Sequence, residues 1–169
     1  MEAMEAILSR RSIRKYIKKS LTKKLINNLL EAAMSAPSAG NQQAWHFIVI
    51  TDPKILIQIP TFHNHAQMLK EAALAILVCY DKDLEKHKGM AIQDCSAATE
   101  NILIAVQSLN LGAVWLGVYP REERVEGLKK LLKIPEKINP ISLVSIGYPA
   151  EKKQKINRYD ESRVHYNKW

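Results

Sequence analysis

The sequence predicts an α+β fold in one domain, with helices packed on a sheet. Three observations predict it. Four short apolar runs read as strands: Trp45–Ile50, Ala73–Tyr80, and the runs "AVWLGVY" after Gly112 and "ISLVSIGY" before Pro149. Segments with a helical period separate them. With 169 residues, 47% of them hydrophobic, the chain can bury one good core but not two. The whole of 1–169 is therefore read as a single domain, with 150–169 as its C-terminal tail.

The elements follow in chain order. Glu2 to Ser9 reads as a short helix with Ile7, Leu8 and the methionines on its apolar side. From Thr22 to Ala36 apolar residues recur at Leu25, Ile26, Leu29, Leu30 and Ala33. Thr22 is a natural N-cap, and Pro37 ends the helix by disfavouring helical geometry at the residue before it. "PSAGNQQ" follows as a polar loop. "WHFIVI" is aromatic and β-branched, hence a strand. "ALAILVCY" is continuously apolar, as expected of a strand covered on both faces.

The longest helix runs from about Met90 to Asn110, with Ala91, Cys95, Ala98, Ile102, Ala105, Val106 and Leu109 on a broad apolar side. Its small residues permit close approach, which places it in the core or at a subunit contact. Asn110-Leu111-Gly112 is a helix stop. A last helix fits Arg121 to Leu132. The tail is charged and aperiodic, yet it carries Tyr159, Tyr166 and Trp169. Disordered segments are poor in aromatics, so the tail is expected to lie ordered over a surface.

The net charge of +8 favours anionic partners without choosing among nucleic acid, acidic lipid and phosphorylated cofactors. Cys79 and Cys95 have neither zinc-ligand nor disulfide-framework spacing and read as buried free thiols. There is no apolar stretch of signal-peptide length, and no run approaches the ~20 residues of a membrane span. A soluble, cytoplasmic protein is expected.

Three stretches carry candidate chemistry. In "SRRSIRKY", Arg10, Arg11 and Arg14 flank Ser12, with Ile13, Tyr16 and Ile17 interrupting the charge. Guanidinium forks and a short hydroxyl can converge on one phosphate. The bland alternative is a solvated basic face. "PSAGNQQAW" combines hydrogen-bonding side chains with an approachable backbone, as the edge of a flat polar ligand requires. It also reads as an ordinary Asn/Gly turn. "WLGVYP" and "SIGYP" each finish a strand in a Gly-containing turn. No G-x-S-x-G, H-E-x-x-H, G-x-G-x-x-G or P-loop occurs. His63 and His65 would pair on a metal only if their segment were extended, so no metal is expected.

Taken together, R-R-S-x-R, then A-P-S-A-G-N-Q-Q-x-W-x-F, W-L-G and a strand ending G-Y-P resemble the FMN-dependent nitroreductase family, specifically its short members. Order and spacing agree over essentially the whole chain. The resemblance implies a central, mostly antiparallel sheet flanked by helices, in an intertwined homodimer whose tails wrap the partner subunit. FMN would lie in the interface. Arg10, Ser12 and Arg14 would hold its phosphate and ribityl chain, with Arg11 near the polar edge of the ring. Pro37, Ser38, Ala39 and Asn41 would come from the other subunit. Leu116 and Gly117 would set a backbone N–H beside flavin N5, and Gln67 would contact the ring. Arg158 would be a second phosphate anchor; Ile156 stands where the family commonly has Lys, with Lys155 next to it.

The activity implied is NAD(P)H-dependent reduction of nitroaromatic, quinone or similar conjugated acceptors by ping-pong hydride transfer through N5. No ribose-reading motif chooses NADH over NADPH. No side-chain nucleophile, nucleic acid or membrane is involved. Two rival readings are a flavin-binding storage or sensing protein without turnover, and a nucleic-acid binder using the basic arm.

Overall fold

The longest strand, β5 (Ile138–Pro149), is the spine of the sheet. In the computed structural model, which describes residues 1–169, β3 (Leu74–Asp81) pairs along one part of it and β4 (Gly112–Gly117) along another. β2 (Trp45–Ile50) pairs with β3, and the two-residue β1 (Tyr16–Ile17) pairs with the last two residues of β5. Every ladder is antiparallel, and a single parallel bridge joins Ser12 to Ala113.

Side chains alternate across a strand, so β3 divides between two cores. Leu74, Ile76 and Val78 face a layer formed by helices α2 (Lys23–Met34) and α4 (Ala91–Ser108). Ala75, Leu77 and Cys79 face the opposite layer, built from α5 (Glu122–Leu132), the one-turn helix α3 (Pro53–Leu56) and the 3-10 turns from Ile59 to Lys70. The continuous apolar run of β3 is thus covered on both faces. α4 is at least half-buried at every position except Gln93, which accounts for its small residues.

Apart from β5, which begins three residues before the expected Ile141, the expected boundaries hold within about two residues, and Thr22 Oγ1 does accept from the Leu25 N–H, at 3.3 Å. One turn was expected where none forms. Gly147 is not a turn glycine: it lies within β5, opposite Gly112, and Tyr148 and Pro149 continue the strand against β1. A Cβ at Gly147 would sit 2.9 Å from the Tyr16 ring, so the glycine serves close packing. The helical turns of residues 53–70 lack a long period and carry no comparable signal in the sequence.

Cys79 and Cys95 are buried free thiols. Burial pushes the Cys79 thiol up to about 12 and raises Cys95 as well, so neither is poised as a thiolate. No helix is long and apolar enough to cross a membrane.

Candidate functional site

The end of β4 opens onto a cavity of about 340 Å³ lined by Arg14, His63, His65, Met68, Val114, Trp115, Leu116, Gly117 and Arg124. Gly117 is exposed, and a Cβ there would meet nothing within 4 Å. The backbone at the strand end is therefore bare towards the cavity. Leu116, which also lines the cavity, is buried in the core beneath it.

Two donors fix the Gly117 carbonyl. Arg124 Nη1 donates to it at 2.7 Å and His63 Nε2 at 3.1 Å. Because a carbonyl can only accept, Nε2 carries the proton of the neutral imidazole. His63 is 1% exposed. Burial first, then the Arg124 charge, lowers its pKa and keeps the ring neutral. No carboxylate lines the cavity, and the Arg14 and Arg124 guanidiniums have no ion-pair partner. The result is a cationic slot with an apolar floor.

The arginines of "SRRSIRKY" do not all converge there. Arg14 alone of the four residues lines the slot. Arg10 Nε pairs with Glu100 Oε1 at 3.3 Å. Arg11 is committed to backbone: Nε donates to the Gln154 carbonyl at 2.9 Å and Nη2 to the Ile156 carbonyl at 3.2 Å. Ser12 bridges to β4, and its carbonyl accepts from Lys153 Nζ at 2.8 Å. The cluster splits because Arg10 caps the C-terminal end of the first helix, beside α4, whereas Arg14 lies beyond the Ser12 bridge to β4. Its inner half anchors the start of the tail, and Arg11 and Lys155 line a separate groove of about 720 Å³.

The loop from Pro37 to Asn41 lies away from the slot of its own chain and is held rigidly. Asp94, 5% exposed on the first turn of α4, accepts from the Ala39 N–H at 3.0 Å and from Gln42 Nε2 at 2.6 Å. Gln42 Oε1 in turn accepts from the His87 N–H at 2.9 Å. Gly40, Asn41 and Gln43 all have positive φ, and a Cβ at Gly40 would collide with the His87 ring. Pro37 and Asn41 are exposed, with Ser38 and Ala39 half-buried beside them.

Gln67 is exposed and does not line the slot; its neighbours His63, His65 and Met68 do. His63 caps the segment Asn64–Lys70, which is wound in 3-10 turns and contains His65, so the extended geometry required for a His63–His65 metal pair is not formed. Arg158 lies in the tail, where every residue from Lys152 to Trp169 is exposed, and it reaches no part of its own chain's slot. The residues that sequence reasoning passed over are Arg124, the Gly117 role of His63, and the Asp94–Gln42 pair.

A profile of the Nitroreductase family matches residues 7–75 and 62–148, most of the chain. The chain belongs to the nitroreductase family. A Methanothermobacter thermautotrophicus protein, whose provisional name pairs NADH dehydrogenase with NAD(P)H nitroreductase, is 48% identical over 169 residues. The match covers all of this chain and 88% of that protein. Among solved structures, an FMN-dependent nitroreductase from Clostridium difficile superposes with a TM-score of 0.91 at 31% identity, covering 98% of this chain and 99% of the other. A provisionally named nitroreductase from Desulfovibrio desulfuricans, in complex with FMN, gives 0.85 at 26% identity, covering all of this chain and 98% of the other. This family member shares the architecture of those structures, with the slot at the end of β4.

Proposed function

We propose that this chain is an FMN-dependent NAD(P)H oxidoreductase that reduces nitroaromatic, quinone or similar conjugated acceptors, working as a homodimer. The observation that carries the proposal is the slot beside Gly117: a bare strand-end backbone, an apolar floor and unpaired arginine with no carboxylate. Those are the requirements of a flat, anionic cofactor. FMN, when bound, supplies the two-electron chemistry between nicotinamide and acceptor, and the protein supplies position and charge.

Each residue then has a limited task. Arg14 offers a free guanidinium to the cofactor. Gly117 leaves its backbone approachable, and His63 with Arg124 prevents that backbone from rotating. Met68 and Trp115 exclude water on the apolar side. Positive charge near the cofactor favours its reduced, anionic form.

The homodimer is supported by surfaces that one chain leaves uncovered. Met4, Ile7 and Leu8 of α1 (Ala3–Ser9) are exposed, as are Ile156, Tyr159 and Tyr166 of the tail, and Trp169 is fully exposed. In the dimer the tail lies over the partner and brings Arg158 to the partner's slot. The rigid Pro37–Asn41 loop completes the same site from the opposite subunit.

The test is the visible spectrum of purified protein, followed by anaerobic NADH or NADPH. A yellow protein that bleaches, then recovers with a quinone or nitroaromatic, is the expected result. A yellow protein that neither donor bleaches would be a binding protein, and one that FMN cannot reconstitute would end the proposal. Arg14→Ala or Arg158→Ala should each weaken FMN binding by about tenfold or more, as loss of a charge-assisted phosphate contact requires.

A further inference from the structure

Arg14 is the cation that the slot offers to the cofactor, yet its backbone lies between two sheet pairings and belongs to neither. Just before it, Ser12 bridges to Ala113, and the Ile13 N–H donates to the Ala113 carbonyl at 2.9 Å. Just after it, Tyr16 and Ile17 are paired with Pro149 and Tyr148 of β5. Arg14 and Lys15 cross from the edge of β4 to β5, and both are exposed. The Arg14 N–H finds no backbone acceptor on the way.

A carboxylate takes that place. Glu151, two residues beyond β5, accepts the Arg14 N–H on Oε1 at 2.6 Å. The neighbouring Ala150 N–H donates to the Lys15 carbonyl at 2.8 Å, so two successive bonds lace the crossing to the start of the tail. Lys153 Nζ stands 3.6 Å from the same Glu151 oxygen and donates to the Ser12 carbonyl at 2.8 Å, which holds the carboxylate against the crossing. The Arg14 N–H above all, and then the Lys153 charge, keep the Glu151 carboxyl below the ordinary carboxylate range. An ionised acceptor makes the stronger bond.

Glu151 grips the backbone of Arg14 and leaves its charge alone. Its ionic partner is Lys153, not the Arg14 guanidinium, and it does not line the slot. Fixing the backbone beforehand removes part of the ordering that anion binding would otherwise cost. We propose that Glu151 is a positioning residue for cofactor binding, acting through the backbone of Arg14. This role presupposes the proposed function, in which Arg14 meets the anionic cofactor. It also has a sign opposite to that of simple charge. A carboxylate near an anion site repels the anion, so by charge alone its removal tightens binding. Removal of a positioning residue loosens it.

The experiment titrates FMN into the cofactor-stripped full chain and reads flavin fluorescence, with melting temperatures taken on the same samples. Glu151→Ala should weaken FMN binding about fivefold or more, as loss of a charge-assisted bond at Arg14 requires. Glu151→Gln should lose less, because its amide oxygen can still accept the N–H. Lys152→Gln, an exposed neighbour outside the slot, should leave the affinity unchanged. In an Arg14→Ala background, Glu151→Ala should add less than about twofold, because the two residues act as one unit. Unchanged or tighter FMN binding in Glu151→Ala would overturn the proposal, and so would an equal loss with and without Arg14. Hydrogen exchange on the unmodified protein decides the matter if the alanine variant does not fold. The Arg14 N–H should be protected although the residue is exposed, and free exchange there would overturn the role. A protein that takes up no FMN overturns the proposed function as well; one that binds FMN without needing Glu151 overturns this role alone.

Discussion

Arg124 and His63, which are distant in sequence, share one acceptor: Arg124 Nη1 at 2.7 Å and His63 Nε2 at 3.1 Å both donate to the carbonyl oxygen of Gly117. Both lone pairs of that oxygen are occupied, so the last peptide of β4 has a fixed plane. The arrangement also places a permanent cation beside an imidazole. The imidazole answers by staying neutral.

The first prediction follows from that pairing. The pKa of His63 in the folded protein lies below the ordinary value of about 6.5. Between the folded and unfolded values the unfolded chain binds more protons, so stability rises with pH across that window. The contribution is complete above about 6.5 and declines as pH falls towards the folded value. An NMR titration of the His63 ring protons should show the depressed midpoint, and Arg124→Gln should move it upward. A midpoint at or above the ordinary value would contradict the geometry.

Gly117 and Gly147 should respond to alanine in opposite ways. At Gly117 the new Cβ meets nothing within 4 Å, so the melting temperature should hardly move, in keeping with surface changes of about 0.5 kcal/mol or less. FMN affinity should nevertheless fall about tenfold, equivalent to roughly 1.4 kcal/mol, because the methyl group fills the bare backbone face. At Gly147 the Cβ lands 2.9 Å from the buried Tyr16 ring. The Tyr16 hydroxyl lies 2.8 Å from the Ile13 carbonyl and 3.1 Å from that of Ser145, which limits how far the ring can yield. Overpacking there should cost about 1–3 kcal/mol in urea unfolding.

Most of the fold was legible because it is written in local periods. The run "WHFIVI" is β2 residue for residue, and the uninterrupted apolar run before Tyr80 is a strand covered on both faces. What failed was punctuation. Gly147 and Pro149 carry the same turn signals as a strand end, yet β5 continues through them because β1 pairs with it there. The site was legible only in part. Arg14, Leu116 and Gly117 do meet in space, whereas Arg10 and Arg11 leave the cluster for Glu100 and the tail backbone. The residues that hold the site in shape act over long separations: Gln42 to Asp94 spans 52 positions, and His63 to Gly117 spans 54. Asp94 was hidden by its neighbours, since an acidic residue in the first turn of an apolar helix suits the helix dipole without any tertiary role. Arg124 had a faint signal, a basic residue one turn into a helix that starts just after a strand end.

Asp94→Ala should release the Pro37–Asn41 loop. The change removes the acceptor of the Ala39 N–H and of the Gln42 amide, both in a nearly dry environment. Stranding two donors should cost about 2–4 kcal/mol, with Asp94→Asn losing less because one carbonyl oxygen remains. Hydrogen exchange should quicken at Ala39 and His87 and remain slow in β3. Unchanged protection at Ala39 would mean that the loop is held by its backbone turns alone.

The last prediction concerns acid stability at the far end of β3. Asp81 Oδ2 lies 2.9 Å from Lys137 Nζ, and Oδ1 accepts the Asp83 N–H at 2.8 Å. The hydrogen bond from Lys137, followed by that backbone N–H, holds the Asp81 pKa below the ordinary carboxylate value. A depressed acid pKa means that the unfolded chain binds the extra proton, so stability rises with pH. The contribution is fully present above the unfolded value of about 3.9 and is lost as pH falls through the folded one. Asp81→Asn should therefore lower the urea midpoint at pH 7 and flatten its decline on acidification, so that the two proteins converge at the acid end. The Lys137 pKa is raised by the same contacts, chiefly the Asp81 hydrogen bond. Its share is present below the ordinary lysine value and lost at higher pH, as the ammonium gives up its proton. Parallel midpoint curves for the two proteins across the acid range would show that Asp81 does not act through its charge.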